Sequence, residues 1–247
     1  MKVLILAAGY GTRLYAIIKD KPKALLEIKG KTLLDYILDR IEGANHLDEV
    51  LVITNEKFYG QIQAWADERT NFSVPIKVLN DHTLTPEERL GSIGDIEFAI
   101  KEENIKDDLL VVGGDNLFDF NIQEYIIFAQ KRSDAVSIGL YDIENINEAN
   151  KFGVVALDQN KKVTSFEEKP AKPKSSLIAM CFYYLPKSTL GSVAAYLKQT
   201  EKSDTAGDYI RWLCEKKDVY GFKFKGKWYD IGSVESYHEA QKNFPSR

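Results

Sequence analysis

Short apolar runs alternate with segments of helical periodicity through the first half of the chain. Continuous apolar runs bounded by glycine or polar residues predict buried strands, whereas apolar residues three and four apart predict helices. The pattern predicts strands at 2–8, 50–54, 76–79, 109–112 and 135–140, and helices at 33–42, 58–68, 93–103 and 122–131. This alternation is typical of a mainly parallel sheet with helices on both faces.

The second half of the chain is less regular. Two strand-like segments, 153–157 and 162–167, flank Asp158-Gln159-Asn160, which predicts a hairpin with asparagine in the turn. Further strands are predicted at 180–185 and 219–224, and helices at 190–199, 209–216 and 233–242, with Ser233 as the N-cap of the last helix. Because no repeat or linker interrupts the pattern, we expect a single domain over residues 1–247.

The first strand leads directly into a glycine-rich, basic loop. Gly9-Tyr10-Gly11-Thr12-Arg13 follows the strand, and Lys21-Pro22-Lys23 comes shortly after. Small residues let backbone N–H groups approach a ligand closely, and consecutive exposed N–H groups form a concave anion site. Arg13 and Lys23 add positive charge, so the loop suits a nucleoside triphosphate.

This loop differs from two common phosphate-binding motifs. The Gly-x-x-x-x-Gly-Lys-Ser/Thr order of a Walker A loop is missing. A dinucleotide-binding fingerprint would need a third glycine where Leu14 stands, and an acidic residue after strand 50–54, which is followed by Asn55. A Rossmann oxidoreductase is therefore the weakest interpretation.

Two aspartates are candidate metal ligands. Asp115 follows an apolar strand and two glycines, at the position where α/β sheets bind ligands. Asp230, in Trp228-Tyr229-Asp230-Ile231-Gly232, precedes a predicted helix. Carboxylates are ordinary ligands of Mg²⁺, although Asp115 could instead cap a turn and Asp230 could interact with a helix dipole.

These motifs resemble those of the sugar-1-phosphate nucleotidyltransferases, the nucleotide-sugar pyrophosphorylases. The family signature, Leu-Ala-x-Gly-x-Gly-Thr-Arg-Leu followed by Lys-Pro-Lys, matches residues 6–14 and 21–23, and Glu167-Glu168-Lys169-Pro170 matches a second segment. The resemblance, to glucose-1-phosphate thymidylyltransferase or uridylyltransferase-type enzymes, runs from Lys2 to about Tyr237. It implies a three-layer, Rossmann-like (GT-A-like) α/β fold and a Mg²⁺-dependent reaction of NTP with sugar 1-phosphate, giving NDP-sugar and pyrophosphate.

The resemblance also implies roles for particular residues. Arg13 and Lys23 would be catalytic, and Asp115 and Asp230 would hold Mg²⁺. The nucleotide would contact Leu6, Ala7, Ala8, Gly9, Gly11, Thr12, Asn80, Gly91 and Asp115, and the sugar phosphate would contact Asn116, Gly153, Glu168, Lys169 and Cys181. As a carboxylate, Glu168 would accept hydrogen bonds from sugar hydroxyls, and Lys169 would hold the phosphate.

Some positions depart from the family pattern and bear on the acceptor. Leu26-Glu27-Ile28 replaces Leu-Pro-Val, Thr32 replaces proline, and Cys181 replaces a glycine. Glu27 and Thr32 resemble the pattern of the related phosphocholine cytidylyltransferases at these positions. Phosphocholine or another alkyl phosphate is therefore an alternative acceptor. It would need an aromatic box, for which Phe118, Tyr183, Tyr184 and Trp228 are candidates. A homologue that binds nucleotide sugar without turnover is a further alternative.

Composition and charge restrict the partners. Hydrophobic residues make up 44% of the chain, enough for a substantial core, and the net charge of −4 argues against general nucleic-acid binding. The two cysteines, Cys181 and Cys214, lack metal-ligand spacing and fit a reducing compartment. The N-terminal apolar run is too short for the hydrophobic region of a signal peptide or for a membrane-spanning helix, and it ends in glycines. We therefore expect a cytoplasmic protein with small-molecule substrates, leaving a homo-oligomer open.

Overall fold

The computed structural model describes residues 1–18, 20–200 and 205–245. The strands are β1 (Lys2–Leu6), β2 (Glu27–Ile28), β3 (Lys31–Thr32), β4 (Glu49–Thr54), β5 (Ile76–Asn80), β6 (Leu109–Gly113), β7 (Asn116–Phe118), β8 (Val136–Asp142), β9 (Gly153–Leu157), β10 (Val163–Glu168), β11 (Leu177–Leu185), β12 (Val219–Lys223) and β13 (Trp228–Asp230). The helices are α1 (Tyr15–Ile18), α2 (Leu33–Ile41), α3 (Glu56–Asp67), α4 (Gly91–Glu102), α5 (Gln123–Gln130), α6 (Gly191–Gln199), α7 (Ala206–Lys216) and α8 (Val234–Asn243).

These elements form two compact units. Unit 1 comprises Met1–Leu90, Val112–Gln123 and the chain from Gly226 onward, and unit 2 comprises Gly91–Val111 and Glu124–Lys225. Strand β6 passes from unit 2 to unit 1 after Val111. Each unit is therefore assembled from separate segments of the chain, and the expectation of a single domain over 1–247 stays a prediction.

Unit 1 is built on the parallel strands β1, β4 and β5. Lys2 pairs with Glu49 and Leu6 with Ile53, and the next ladder runs from Val50↔Ile76 to Thr54↔Asn80. The apolar residues of β1 and β4 are almost wholly buried, which explains why their sequences are continuous rather than alternating runs. Helices α2 and α3 begin after Thr32 and Asn55, whose side chains accept hydrogen bonds from backbone N–H groups of the first turn.

A second apolar cluster in unit 1 lies beneath the segments that carry the candidate residues. It contains Leu14, Leu26, Ile28, Leu33, Tyr36, Leu117, Ile231, Ala240 and Phe244. Leu14 follows Arg13 directly, and Leu117 and Ile231 follow Asp115 and Asp230 closely. Burying these apolar neighbours together therefore places the polar residues on one side of a common core.

Unit 2 contains a mixed sheet in the order β10-β9-β11-β8-β12. Strand β11 is antiparallel to both β8 and β9, whereas β12 is parallel to β8. The predicted β9–β10 hairpin is confirmed, with Asn160 in the turn, and Lys161 after it has a left-handed φ of +69°. The fully buried Tyr125 of α5 donates a hydrogen bond to the carbonyl of Ser137 at 2.7 Å, joining helix to sheet.

The structure agrees with most predicted elements and adds several short ones. Ser233 caps α8 as expected, and forms a capping box with Ser236. Strand β1 ends at Leu6, two residues earlier than predicted, and beyond it the Ala7 and Ala8 carbonyls accept hydrogen bonds from the side chains of Thr54 and Asn55. Strands β2, β3 and β7 were not predicted. No helix in the described part of the chain is long and apolar enough to cross a membrane.

Candidate active site

A cavity of about 250 Å³ in unit 1 collects most of the predicted nucleotide-binding and catalytic residues. Its lining also includes Leu14, Ala24, Gly114 and Gly232, which sequence reasoning did not assign. The predicted residues that line it are Leu6, Ala7, Gly9, Gly11, Thr12, Arg13, Lys23 and Asp115. The cavity is smaller than the 300–1,000 Å³ typical of pockets that enclose a drug-sized ligand. It therefore suits part of a nucleotide, such as its phosphate groups.

The loop that enters this cavity is held by hydrogen bonds on its other side. The Thr54 hydroxyl donates to the Ala7 carbonyl at 3.2 Å, and the Asn55 amide donates to the Ala8 carbonyl at 2.9 Å. Tyr10 and Thr83 share a hydrogen bond of 3.1 Å between their hydroxyls. The end of β4 and the turn after β5 therefore hold the loop in place through the protein's own hydrogen bonds.

Three glycines shape the cavity for different physical reasons. Gly11 has φ +64°, a left-handed conformation that disfavours other residues, and precedes the 3₁₀ turn Thr12–Leu14. A Cβ on Gly114 would lie only 2.7 Å from the Leu6 carbonyl oxygen, so the turn after β6 can pack against β1 only without a side chain. A Cβ on Gly9 would meet no atom within 4 Å. The lack of a side chain at Gly9 therefore leaves open space at the cavity wall, as close approach of a ligand requires.

The two predicted catalytic cations differ in their surroundings. Lys23 begins the 3₁₀ turn Lys23–Leu25, and its Nζ lies 2.7 Å from Oδ2 of Asp115. Its side chain is only 16% exposed, against 36% for Asp115. Arg13 is exposed and forms no ion pair with any residue described in the structure. Lys23 is thus fixed against a carboxylate, whereas the Arg13 guanidinium is available to an anion.

The two predicted metal ligands lie on adjoining segments. Strands β7 and β13 pair with Asn116 opposite Asp230, and the Ile231 N–H donates to the Asp115 carbonyl at 3.0 Å. A Cβ added to Gly232, which lines the cavity, would lie 3.4 Å from Oδ1 of Asp230. The structure therefore brings Asp230 beside the cavity that Asp115 lines.

This donor set fits a magnesium ion that is held partly by its substrate. Within the described residues, no group of three or more His, Cys, Asp or Glu side chains is placed to hold a metal. Mg²⁺ is usually bound through one or two carboxylates, with phosphate oxygens and water completing its coordination. Two aspartates beside a phosphate-sized cavity meet that description.

Asn116, expected to contact the sugar phosphate, is 98% buried and already uses its amide. Its Nδ2 donates to the Gly113 carbonyl at 3.2 Å and to Oδ1 of Asp115 at 3.0 Å. Its Oδ1 accepts from the Trp228 indole at 2.7 Å. Both amide hydrogens are therefore engaged, and the geometry makes Asn116 a partner of Asp115 rather than an open donor.

In unit 2, Glu168 and Lys169 stand together at the end of β10. The Lys169 Nζ lies 3.7 Å from Oε1 of Glu168, and the lysine is 57% exposed while the glutamate is only 15% exposed. Burial raises the pKa of Glu168, and neighbouring Lys169 partly opposes this shift. Lys169 has φ +42°, and its N–H donates to the Phe152 carbonyl at 3.0 Å.

The first turn of α7 also flanks Glu168, which sequence reasoning did not predict. A Cβ on Gly207 would overlap the Glu168 carboxylate. Asp208 and Arg211, which form an ion pair of 2.8 Å, act on the same carboxylate electrostatically. The sequence could have indicated the contact at Gly207, because a glycine within a helix usually has a packing or functional reason.

Gly153 and Cys181 lie in the same sheet as Glu168. Gly153 pairs with Glu168 on β10 and with Ala179 on β11. A Cβ on Gly153 would collide with the Phe166 ring and lie 3.1 Å from Oε2 of Glu168. Gly153 is therefore needed by the protein's own packing, in addition to any contact with sugar. Cys181 is half-buried and contacts Tyr183.

Three predicted nucleotide contacts do not line the cavity. Ala8 is buried next to it. The Asn80 side chain closes a turn by accepting from the His82 N–H at 2.8 Å, and it donates to Glu56 at 2.6 Å. Gly91 begins α4 in unit 2 with φ +74°. Their roles in nucleotide binding stay predictions.

The aromatic residues proposed for a choline box are mostly core residues. Phe118, Tyr183 and Tyr184 are each at most 5% exposed. Phe118 stacks on Phe120 at a centroid distance of 4.8 Å, and the Tyr184 hydroxyl donates to Asp108 at 2.7 Å. Trp228 is half-buried and donates to Asn116. A quaternary ammonium group would find no exposed box among these four residues.

The family model for nucleotidyl transferases matches residues 2–247. The chain belongs to the nucleotidyl transferase family. It is 31% identical over 245 residues to the bifunctional protein GlmU of Methanococcus vannielii, covering 94% of this chain and 52% of that protein. It is also 29% identical to glucose-1-phosphate adenylyltransferase of Fusobacterium nucleatum over 262 residues, covering 98% and 66%. The chain spans about half the length of the GlmU proteins it matches.

Solved structures show the same fold at low sequence identity. A putative glucose-1-phosphate thymidylyltransferase from Bacillus anthracis superposes with a TM-score of 0.83 and 22% identity, covering 100% of this chain and 97% of that one. A UDP-glucose pyrophosphorylase in complex with UDP-glucose gives a TM-score of 0.83 at 21% identity, covering 98% and 97%. The expected Rossmann-like fold with a mixed, mainly parallel sheet is confirmed, and the family model bears out the family that the motifs resemble.

Proposed function

We propose that this enzyme transfers a nucleotidyl group from a nucleoside triphosphate to a sugar 1-phosphate. An oxygen of the acceptor phosphate attacks the α-phosphorus in line, forming a new P–O bond. The bond to the β-phosphate breaks, and its electron pair leaves with pyrophosphate. This chemistry needs positioning and charge neutralisation more than acid–base groups.

The observation that carries this proposal is the Lys23–Asp115 pair in the glycine-lined cavity. The Lys23 side chain is mostly buried, and its Nζ is held 2.7 Å from the more exposed carboxylate of Asp115. Gly9, which lines the same cavity, leaves open space there. Fixed charges that face a phosphate-sized space stabilise a transition state without having to reorganise.

The cavity residues have distinct roles in this proposal. Lys23 bridges the α-phosphate and the attacking oxygen, where negative charge is concentrated during transfer. The exposed Arg13 neutralises the β- and γ-phosphates and the departing pyrophosphate. The backbone at Gly9 and Gly11 lets the phosphates approach N–H groups.

Asp115 and Asp230 are proposed to hold Mg²⁺ together with phosphate oxygens. When bound, the ion would polarise the α-phosphate and offset its charge. Asp115 also holds Lys23, so loss of this aspartate would disturb both a candidate ligand and a candidate catalytic cation.

The acceptor is proposed to be a sugar 1-phosphate, held by Glu168 and Lys169. A mostly buried carboxylate is a directional acceptor for hydroxyl groups, and an exposed lysine suits a phosphate. Relatives named for glucose-1-phosphate adenylyltransferase and glucose-1-phosphate thymidylyltransferase make glucose 1-phosphate the first acceptor to test. Because their names differ in the base, the nucleotide has to be screened.

The reaction is proposed to be cytoplasmic, without a nucleic acid or a membrane as partner. Cys181 and Cys214 form no disulfide bond with each other, as is usual in a reducing compartment. The partners are then the two dissolved substrates, and self-association remains a separate measurement.

A two-dimensional substrate screen tests the proposal. ATP, CTP, GTP, UTP and dTTP are each combined with sugar 1-phosphates and with phosphocholine, and pyrophosphate release is followed with Mg²⁺ and with EDTA. We expect release only when NTP, a sugar 1-phosphate and Mg²⁺ are all present. Turnover of an NTP with phosphocholine but with no sugar 1-phosphate would reject the sugar assignment. Binding of nucleotide sugar without any turnover would favour a non-catalytic homologue.

A further inference from the structure

The indole of Trp228 is hydrogen-bonded to the buried amide next to Asp115. Trp228 lies on β13 opposite Phe118 of β7, so it is the diagonal neighbour of Asn116 on that ladder. Its Nε1–H donates to Oδ1 of Asn116 at 2.7 Å, across 112 positions of sequence. Nothing in the sequence pattern around Trp228 indicated this contact.

The chemistry of indole fixes which way the Asn116 amide faces. Indole nitrogen can only donate a hydrogen bond, so the amide oxygen must point toward Trp228. The amide nitrogen then points toward the Gly113 carbonyl and Oδ1 of Asp115, at 3.2 and 3.0 Å. A flipped amide would set oxygen against two oxygens and nitrogen against an N–H. Since Asn116 is 98% buried, water could not repair those contacts.

This arrangement gives the two oxygens of Asp115 separate partners. Oδ1 accepts from Asn116, and Oδ2 accepts from Lys23 at 2.7 Å. The plane of the carboxylate is therefore held from both sides. Partners that orient a ligating carboxylate matter for metal affinity, and their loss typically costs 10- to 100-fold.

We propose that Trp228 is a positioning residue, which orients the Asp115 carboxylate through Asn116. The inference rests on the proposed function, because Asp115 is assigned there to the metal and to Lys23. The backbone ladder between β7 and β13 does not depend on the indole N–H. Phenylalanine at this position would keep an aromatic ring on the strand and remove only the donor.

The decisive variant is Trp228→Phe, compared with Asn116→Ala and the double mutant. We expect Trp228→Phe to lower kcat about 10-fold or more and to weaken Mn²⁺ binding by about 10-fold, with the NTP KM nearly unchanged. Mn²⁺ affinity is measured by electron paramagnetic resonance with NTP and no acceptor, so it does not depend on turnover. If Trp228 acts through Asn116, the double mutant should be no worse than Asn116→Ala.

A spectroscopic measurement and a matched control complete the test. The chain has three tryptophans, so Asn116→Ala should move one of three indole N–H signals in a ¹H–¹⁵N spectrum. Trp212→Phe is the control, because that indole donates to the exposed Gln199 in unit 2. It should leave kcat and Mn²⁺ affinity unchanged, and thermal unfolding checks that all variants fold.

The outcomes separate this inference from the proposed function. A parent enzyme that is active with sugar 1-phosphate, and a Trp228→Phe variant with unchanged kcat and Mn²⁺ affinity, would overturn the inference alone. Losses that multiply in the double mutant would also overturn it. A parent that binds Mn²⁺ with NTP but turns over no acceptor would reject the proposed reaction, while weaker Mn²⁺ binding in Trp228→Phe would still support the positioning role.

Discussion

The two units each hold a lysine–carboxylate pair, with the exposure of the partners reversed. In unit 1, Lys23 is mostly buried and bonded at 2.7 Å to the more open Asp115. In unit 2, Glu168 is mostly buried and the open Lys169 lies 3.7 Å away. The same two chemical groups therefore present a carboxylate in one unit and an ammonium in the other.

This reversal in exposure indicates which chemical groups each pair is suited to bind. An exposed carboxylate backed by a fixed cation suits a metal ion and a phosphate that arrive together. An exposed lysine beside a buried, hydrogen-bond-accepting carboxylate suits a molecule that carries both phosphate and hydroxyl groups. The buried partner supplies fixed geometry in each case, because a desolvated charge needs a defined environment.

Removing the fixed cation of unit 1 should have the largest effect. We expect Lys23→Ala to lower kcat by about 10²- to 10³-fold, similar to the loss of one preorganised electrostatic donor, with a smaller change in the NTP KM. Steady-state kinetics measure the separation. Lys21→Ala is the control, because Lys21 is exposed in the same loop and does not line the cavity. A change in KM alone would make Lys23 a binding residue.

The carboxylates of unit 1 should behave as one site. Asp115→Asn and Asp230→Asn are each expected to lower kcat about 100-fold, and the double mutant should be scarcely worse, because groups that act as a unit are not additive. Circular dichroism would verify folding. Asp107→Asn, at an exposed position in unit 2, serves as the control. Multiplicative losses would argue against a shared ion.

Local pattern was enough to predict the strands that form the framework of unit 1. The apolar runs of β1, β4 and β5 are buried strands, and a loop that leaves β1 must lie at the edge of their parallel sheet. Gly9, Gly11 and Arg13 are close in sequence, so one motif locates them together. Gathering them with Lys23 and Asp115 needs only the common apolar cluster that contains Leu14, Leu26 and Leu117.

Pairings between distant segments could not be predicted in this way. Strands β7 and β13 have three residues each, too few for alternation to be visible, and they pair over more than a hundred residues. The hydrogen bonds of Asn116 to Asp115 and Trp228 follow from that pairing and were not predicted, while its contact with the sugar phosphate stays a prediction. The packing of Phe166 and Glu168 against Gly153 was likewise not predicted, and a contact between Gly153 and the sugar stays a prediction.

Removing the exposed ammonium group of Lys169 in unit 2 should change the KM of the acceptor and not that of the NTP. We expect Lys169→Ala to raise the acceptor KM by about 10- to 100-fold, which corresponds to a charged hydrogen bond of about 1.5–3 kcal/mol. The NTP KM should be nearly unchanged. Lys172→Ala, at an exposed position in the same loop, should leave both constants unaltered. An equal rise in the NTP KM would contradict the proposal that Lys169 binds the phosphate of the acceptor and not the nucleotide.

Displacing the buried carboxylate of Glu168 in unit 2, without removing it, should have the smallest effect on the acceptor KM. A Cβ at Gly207 would overlap the carboxylate of Glu168, which is the flexible end of its side chain, so Gly207→Ala should rotate Glu168 away rather than unfold α7. Alanine also favours helix by up to about 1 kcal/mol, which offsets the displaced contact. Gly191→Ala, at the start of α6, is the matched control because its Cβ would meet no atom within 4 Å. We expect a threefold to tenfold rise in the acceptor KM for Gly207→Ala, with the NTP KM and the melting temperature close to those of the parent. If both glycine variants leave the acceptor KM unchanged, the position of Glu168 does not matter for the acceptor, and the proposed role of the buried carboxylate is wrong.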